Sequence, residues 1–209
     1  SDLQCAFDKP LGDLERIAWG EKPATRLAMN CSGKHAGMLA TCVINGWDLK
    51  TYLNADHPLQ VAVLTEIEGL VGAKVSNKTF DGCGAPLFAV TTRELANAIR
   101  NITISKDPFH IEVMSAARAF PEMVAGDGRL TTRTMQSVAG LFMKEGAEAV
   151  EVASMSDGRT LVFKISDGSW RAFGAIMHAA LLEWGITTTE EAFNVYGGAN
   201  IVGGMRAVL

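Results

Sequence analysis

The apolar spacing changes period at Gly146, and that change limits the fold more than any other feature of the sequence. Beyond it, "EAVEVASM" and "RTLVFKIS" alternate apolar and polar residues across "SDG", the pattern of an antiparallel hairpin. Before it, helical spacing dominates. From Ser32, the residues Ala36, Leu39 and Val43 follow a helix that Gly46 stops. Pro58 begins a second helix, with Leu59, Val63, Ile67 and Leu70 as one stripe ending near Gly72. "TRELANAIRN", "DPFHIEVMSAARAFPEMV" and "TTRTMQSVAGLFMKEG" read as further helices, the first and last opening on threonine caps. Between these groups, "KVSNKTFDGCGAPLFAV" reads as strand, tight loop and strand around Gly82, Gly84 and Pro86. "SWRAFGAIMHAALLEWG" reads as a long helix, and "NVYGGANIVGGMRAVL" as a turn and a closing strand. No repeat or linker interrupts the chain, so residues 1–209 are expected to form a single domain.

Several function classes are disfavoured by composition. A net charge of -4 without a basic cluster argues against nucleic acid or an anionic membrane surface as partner. No apolar run reaches bilayer-spanning length. Cysteines at 5, 31, 42 and 83, in a chain that is 48% hydrophobic, do not resemble a secreted disulfide framework, and a reducing, cytoplasmic setting is expected. The opening "SDLQCAFDKP" has no initiator Met and no h-region, so the sequence is expected to be an internal or C-terminal piece.

The chemistry concentrates in "NCSGKHAGML". A helix N-terminus favours anions, so Lys34 and His35 in its first turn oppose the macrodipole. A thiolate at Cys31 would compensate, with a pKa lowered by the helix end and the neighbouring cations. Cys83, between Gly82 and Gly84, sits where backbone approaches closely. Two thiolates and a third donor suit a tetrahedral zinc ion, and a neutral Lys34 amine would qualify as that donor once a dication lowers its pKa. The same residues also suit plainer roles: a small buried hydrophobe, a snorkelling lysine and a turn filler. Asp81 either orients a neighbouring donor or closes an Asx turn. His35 is a candidate base or a hydrogen-bonded structural residue. His57 reads as a loop residue, and His110 and His178 as helix-face residues. Lys164 shares a strand face with Val162 and Ser166, and suits either solvent exposure or a general base paired with a serine. No lysine here has a serine three residues before it, and no G-x-S-x-G elbow, Walker loop or dinucleotide fingerprint is present.

Taken in order, "NCSGKHAGML", "FDGCGAPLFAV", "FPEMVAGDGRLTTRTMQ", "KEGAEAVEV" with "FKISDGSWRA", and "NVYGGANIVGGMR" resemble the L-asparaginase II family of the Rhizobium type, distinct from asparaginases with threonine nucleophiles. The resemblance implies an α+β fold, an antiparallel sheet with flanking helices as in serine β-lactamases and penicillin-binding proteins. It implies hydrolysis of L-asparagine to L-aspartate and ammonia, a homodimer, and a zinc site on Cys31, Lys34 and Cys83 with His35 and Asp81 close by. Lys164 matches a lysine of the family's paired Ser-Lys centre. The family's nucleophilic serine and Ser-x-x-Lys lysine belong upstream of this segment, so the chain is expected to be the C-terminal portion of such a fold. Two other functions compete: a cysteine hydrolase with Cys31 as nucleophile and His35 as base, and a non-catalytic, zinc-stabilised fragment.

Overall fold

The computed structural model describes residues 2–188 and 193–208. Its contacts fall into two compact units that meet in sequence at Thr91 and Thr92. Every strand pairing among the described residues is antiparallel, and helices account for most of the remaining regular structure, so the fold class is α+β.

The first unit holds α1 (Asp13–Trp19), α2 (Ser32–Asn45), α3 (Pro58–Val71) and the hairpin of β1 (Asn77–Phe80) with β2 (Pro86–Ala89). α2 stops at Gly46, which takes the left-handed conformation (φ 68°) that ordinary side chains resist. Its inward face is His35, Met38, Leu39 and Cys42, whereas Val43 is exposed. The burying stripe is thus rotated by one residue from the Ala36–Leu39–Val43 reading, because a thiol behaves as a small hydrophobe and His35 finds a buried partner. α3 begins at Pro58 as its sequence requires. His57 is more than a loop residue: its Nδ1 accepts the Leu59 amide at 3.1 Å and caps the helix.

The second unit runs through α4 (Thr92–Thr103), α5 (Pro108–Ala119), α6 (Pro121–Ala125), α7 (Leu130–Ser137), β3 (Leu141–Gly146), β4 (Val150–Met155), β5 (Thr160–Lys164), a 3-10 turn, α8 (Phe173–Glu183), β6 (Asn194–Gly197) and β7 (Asn200–Gly204). β4 lies between β3 and β5, as the alternation after Gly146 requires for the β4–β5 hairpin. Three expectations are corrected. The helix read through "DPFHIEVMSAARAFPEMV" breaks at Phe120 (φ -130°, ψ 63°), because Pro121 has no N–H and forces the residue before it out of helical geometry. The helix read through "TTRTMQSVAGLFMKEG" ends at Ser137, and "LFMKEG" is β3; Gly140 (φ 80°) makes the turn between them. The terminal segment supplies two paired strands rather than one. The core packs Met135 and Val138 with Leu141, Met143, Ala153 and Met155 of the sheet and with Phe173, Met177 and Leu181 of α8.

One buried charge site stands out against that core. Glu151 pairs in register with Glu145 on β3 and Phe163 on β5; it is wholly buried, and neither carboxyl oxygen has a hydrogen-bond partner. Glu145 is held at the start of α7 by an ion pair with Arg129 and by the Thr131 hydroxyl, 2.7 Å away. Burial first, and the facing Glu145 second, push the Glu151 carboxyl up to about 9, with Lys144 opposing. A folded-state pKa above the unfolded one means that the folded chain binds the extra proton. Its stabilising effect is complete below pH of about 4.5 and declines as pH rises, vanishing near pH 9. At roughly 1.4 kcal/mol per unit, several kcal/mol are involved. Glu151→Gln is therefore expected to flatten the fall in thermal stability between pH 6 and 9, measured by calorimetry against the parent; parallel pH curves would refute the assignment.

Candidate metal-binding site

The site is assembled from a helix start and a hairpin loop. Cys31 is the N-cap residue of α2, its carbonyl accepting the His35 amide at 3.0 Å. No acidic residue lies in the first turn, and no side chain caps it. Opposite, the five residues between β1 and β2 close a tight loop: the Asp81 amide donates to the Ala85 carbonyl and the Gly84 amide to the Asp81 carbonyl, both at 2.8 Å. Gly84 adopts φ 88°, which explains why glycine follows Cys83. The Asp81 carboxylate accepts from the amide of the next residue, Gly82, through Oδ1 at 2.7 Å, and it also makes a longer-range contact.

That longer contact joins the two pieces. Lys34 Nζ donates to Asp81 Oδ2 at 2.8 Å across 47 residues of sequence. The Cys83 thiol donates to the same oxygen at 3.6 Å. Cys31 Sγ, Cys83 Sγ and an Asp81 carboxylate oxygen all lie within 4.8 Å of one another. Lys34 Nζ also reaches Cys83. Of the residues singled out in the sequence, Cys31, Lys34, Asp81 and Cys83 are thus brought to one place. Cys83 is buried, Cys31 half-buried, and the Lys34 side chain 45% exposed.

Electrostatics modify one expectation. The Cys31 thiol is raised rather than lowered, because burial dominates and the neighbouring Cys83 and Asp81 add to it, outweighing Lys34. Burial is also the largest influence on Lys34 and pulls it down, but Asp81, Cys31 and Cys83 together push it above its ordinary value. The Lys34 hydrogen bond holds Asp81 low. Without a metal, the site therefore sets the Cys31 thiol and the Lys34 ammonium against the Asp81 carboxylate.

His35 is fully buried beside this group, with its Nδ1 2.7 Å from Tyr52 Oη, and Tyr52 also accepts the Gln4 amide at 3.0 Å. Tyr52 has no side-chain exposure, and sequence reading missed it because a single tyrosine in a loop carries no periodic signal. With the Gln4 N–H donating to Tyr52 and the Tyr52 hydroxyl donating to Nδ1, the neutral imidazole keeps its proton on Nε2, which is buried without a partner. Burial first, then Lys34, depress the imidazole pKa, in line with a neutral ring. Cys5, also unsuspected, packs with Leu3, Met29, Cys83 and Ala85. Lys164, in the second unit, is exposed at the end of β5 and donates to the Ile165 carbonyl.

The family profile described as L-asparaginase II matches residues 1–204. The chain belongs to the L-asparaginase II family. No curated protein matches it.

Tyr52→Phe would strand both the Gln4 amide and His35 Nδ1, and is expected to lower unfolding stability by about 1–3 kcal/mol. Breaking the partly exposed Lys34–Asp81 pair by Lys34→Met is expected to lower the stability of metal-free protein by less than about 1 kcal/mol. Urea denaturation of the two variants checks the order, which reverses if the surface ion pair is the stronger element.

Proposed function

We propose that the chain is part of an amidohydrolase that converts L-asparagine to L-aspartate and ammonia, and that Cys31, Lys34 and Cys83, with Asp81 beside them, hold one zinc ion. The observation that carries the metal assignment is the approach of Cys31, Cys83 and Asp81 donor atoms to within 4.8 Å. Zinc bonds of about 2.0–2.3 Å at tetrahedral angles separate neighbouring ligand atoms by about 3.3–3.8 Å, so small side-chain shifts suffice. Two sulfurs, one nitrogen and a nearby oxygen form a donor set suited to a borderline-soft ion. Membership of the L-asparaginase II family supports the substrate and the reaction.

Within this proposal, Asp81 has two tasks. It holds Lys34 in place beside the thiols, and it accepts a hydrogen bond from the Cys83 thiol, while the protons displaced by a metal would pass to solvent. His35 presents Nε2–H as a fixed donor, its ring locked by Tyr52. Bound zinc supplies a Lewis-acid contact for a polar group of the substrate. Lys164 accepts or steers a proton for the serine of the family's Ser-Lys centre, a residue that this sequence does not contain. A homodimer and a cytoplasmic setting belong to the same proposal; no helix among the described residues is long and apolar enough to cross a membrane. The cysteine-hydrolase alternative receives no support from the geometry, since Cys31 is a raised thiol and His35 Nδ1 is taken by Tyr52.

Because Cys31 and Lys34 both release protons reluctantly, zinc affinity is expected to weaken as pH falls from 8 to 6, with protons released on binding. Calorimetry in buffers of different ionisation enthalpy measures that release, and pH-independent affinity would refute the ligand set. For the reaction, the expected outcome is ammonia release from L-asparagine by the full-length enzyme, reduced at least about 100-fold in Lys164→Ala while its folding is unchanged. Unchanged turnover would remove Lys164 from the mechanism.

A further inference from the structure

All four cysteines are free, yet two of them, distant in sequence, are neighbours in space. Cys31 Sγ and Cys83 Sγ lie within 4.8 Å and the two thiols contact each other. A disulfide needs a sulfur separation of about 2.05 Å, so the sulfurs have less than about 3 Å to close. The backbone around Cys83 is suited to such a shift. Gly82 and Gly84 flank it, and a side-chain carbon built on Gly82 would meet nothing within 4 Å. Cys31 sits at a helix start without a side-chain capping bond to the helix. Accessibility is unequal: Cys31 is half-buried, whereas Cys83 is buried.

We infer that Cys31 and Cys83 form a reversible disulfide under peroxide, and that this bond and a bound metal ion exclude each other. The second half rests on the proposed zinc site; the first stands on the sulfur geometry alone. In the first step, the Cys31 sulfur attacks a peroxide oxygen, the O–O bond breaks, and Cys31 becomes a sulfenic acid as one water leaves. In the second, the Cys83 sulfur attacks the Cys31 sulfur, the S–O bond breaks, and a second water leaves. Two thiols are oxidised by two electrons in total and one peroxide is reduced to two waters. A disulfide sulfur is not a thiolate, so the closed form loses both sulfur ligands at once. Reduction by an external dithiol restores them.

Sequence context adds a reason for specificity. Cys5 packs in the same apolar cluster, but its thiol donates to the Arg26 carbonyl at 3.4 Å and it lies outside the group of donors that converge on Asp81. Cys42 is buried on the far turns of α2, in a separate cluster with Tyr52 and Leu59. Pairing of Cys31 with Cys83 is therefore favoured over the other combinations.

The test treats reduced, metal-free protein and zinc-loaded protein with hydrogen peroxide, blocks the remaining thiols under denaturing conditions, and measures intact mass and digested peptides. In metal-free protein, the expected result is a loss of two alkylatable thiols, a Cys31–Cys83 peptide link, and full recovery with dithiothreitol. Cys31→Ser and Cys83→Ser should each abolish the link. Zinc should slow its formation at least tenfold. A link through Cys5 or Cys42, or sulfinic acid at Cys31 with Cys83 untouched, would overturn the pairing. Equal rates with and without bound zinc would overturn the exclusion. A separate zinc titration of reduced protein keeps the outcomes apart: absence of binding overturns the zinc site while the peroxide result on metal-free protein still decides the disulfide.

Discussion

The local order of the first unit's site depends on one carboxylate. Asp81 accepts from Lys34 across 47 residues of sequence and from Cys83 within its own loop, and its other oxygen fastens the Gly82 amide. Remove it, and an ammonium is left beside two thiols at a helix end that already repels cations. The Lys34 placement, contrary to the dipole rule, becomes understandable once the helix start faces an anion. The ion pair contributes little stability, being partly exposed. Its importance is positional: it fixes which atoms share a space that a metal ion or a disulfide can occupy.

The neighbouring buried network is built on different physics. His35, Tyr52 and the Gln4 amide satisfy one another out of contact with water, at a cost that only complete pairing offsets. Within that network His35 Nε2 is the one ring nitrogen left buried without a partner. Glu151 in the second unit solves a similar problem by keeping its proton.

What the sequence revealed follows from which signals are local. Helix stops at Gly46 and Gly72, the Pro58 start, the β1–β2 hairpin and the β4–β5 hairpin were all legible because each is written in adjacent residues. β3 was not, because "LFMKEG" continues an apolar run from α7 and its partner strand lies beyond a turn; only the left-handed Gly140 marks the change. Pro121 is plain in the sequence, but the helical spacing on both sides of it masks the break it imposes at Phe120. At the site, Cys31, Lys34 and Cys83 were legible as an unusual set, and family membership over residues 1–204 accords with the asparaginase resemblance. The direction of the Cys31 shift was not, because dipole and charge can be read from sequence whereas burial comes from contacts with a distant loop. Tyr52 and Cys5 were hidden because neither lies in a periodic segment, and their burial comes from residues distant in sequence.

The central claim is that two sulfurs separated by more than half the first unit's length bind one metal ion together. X-ray absorption at the zinc edge of protein loaded with one equivalent tests it most directly. The account predicts two sulfur neighbours at about 2.3 Å, falling to one in Cys83→Ser, with lighter donors completing the shell. A shell of nitrogen and oxygen alone, or one that Cys83→Ser leaves unchanged, would contradict it.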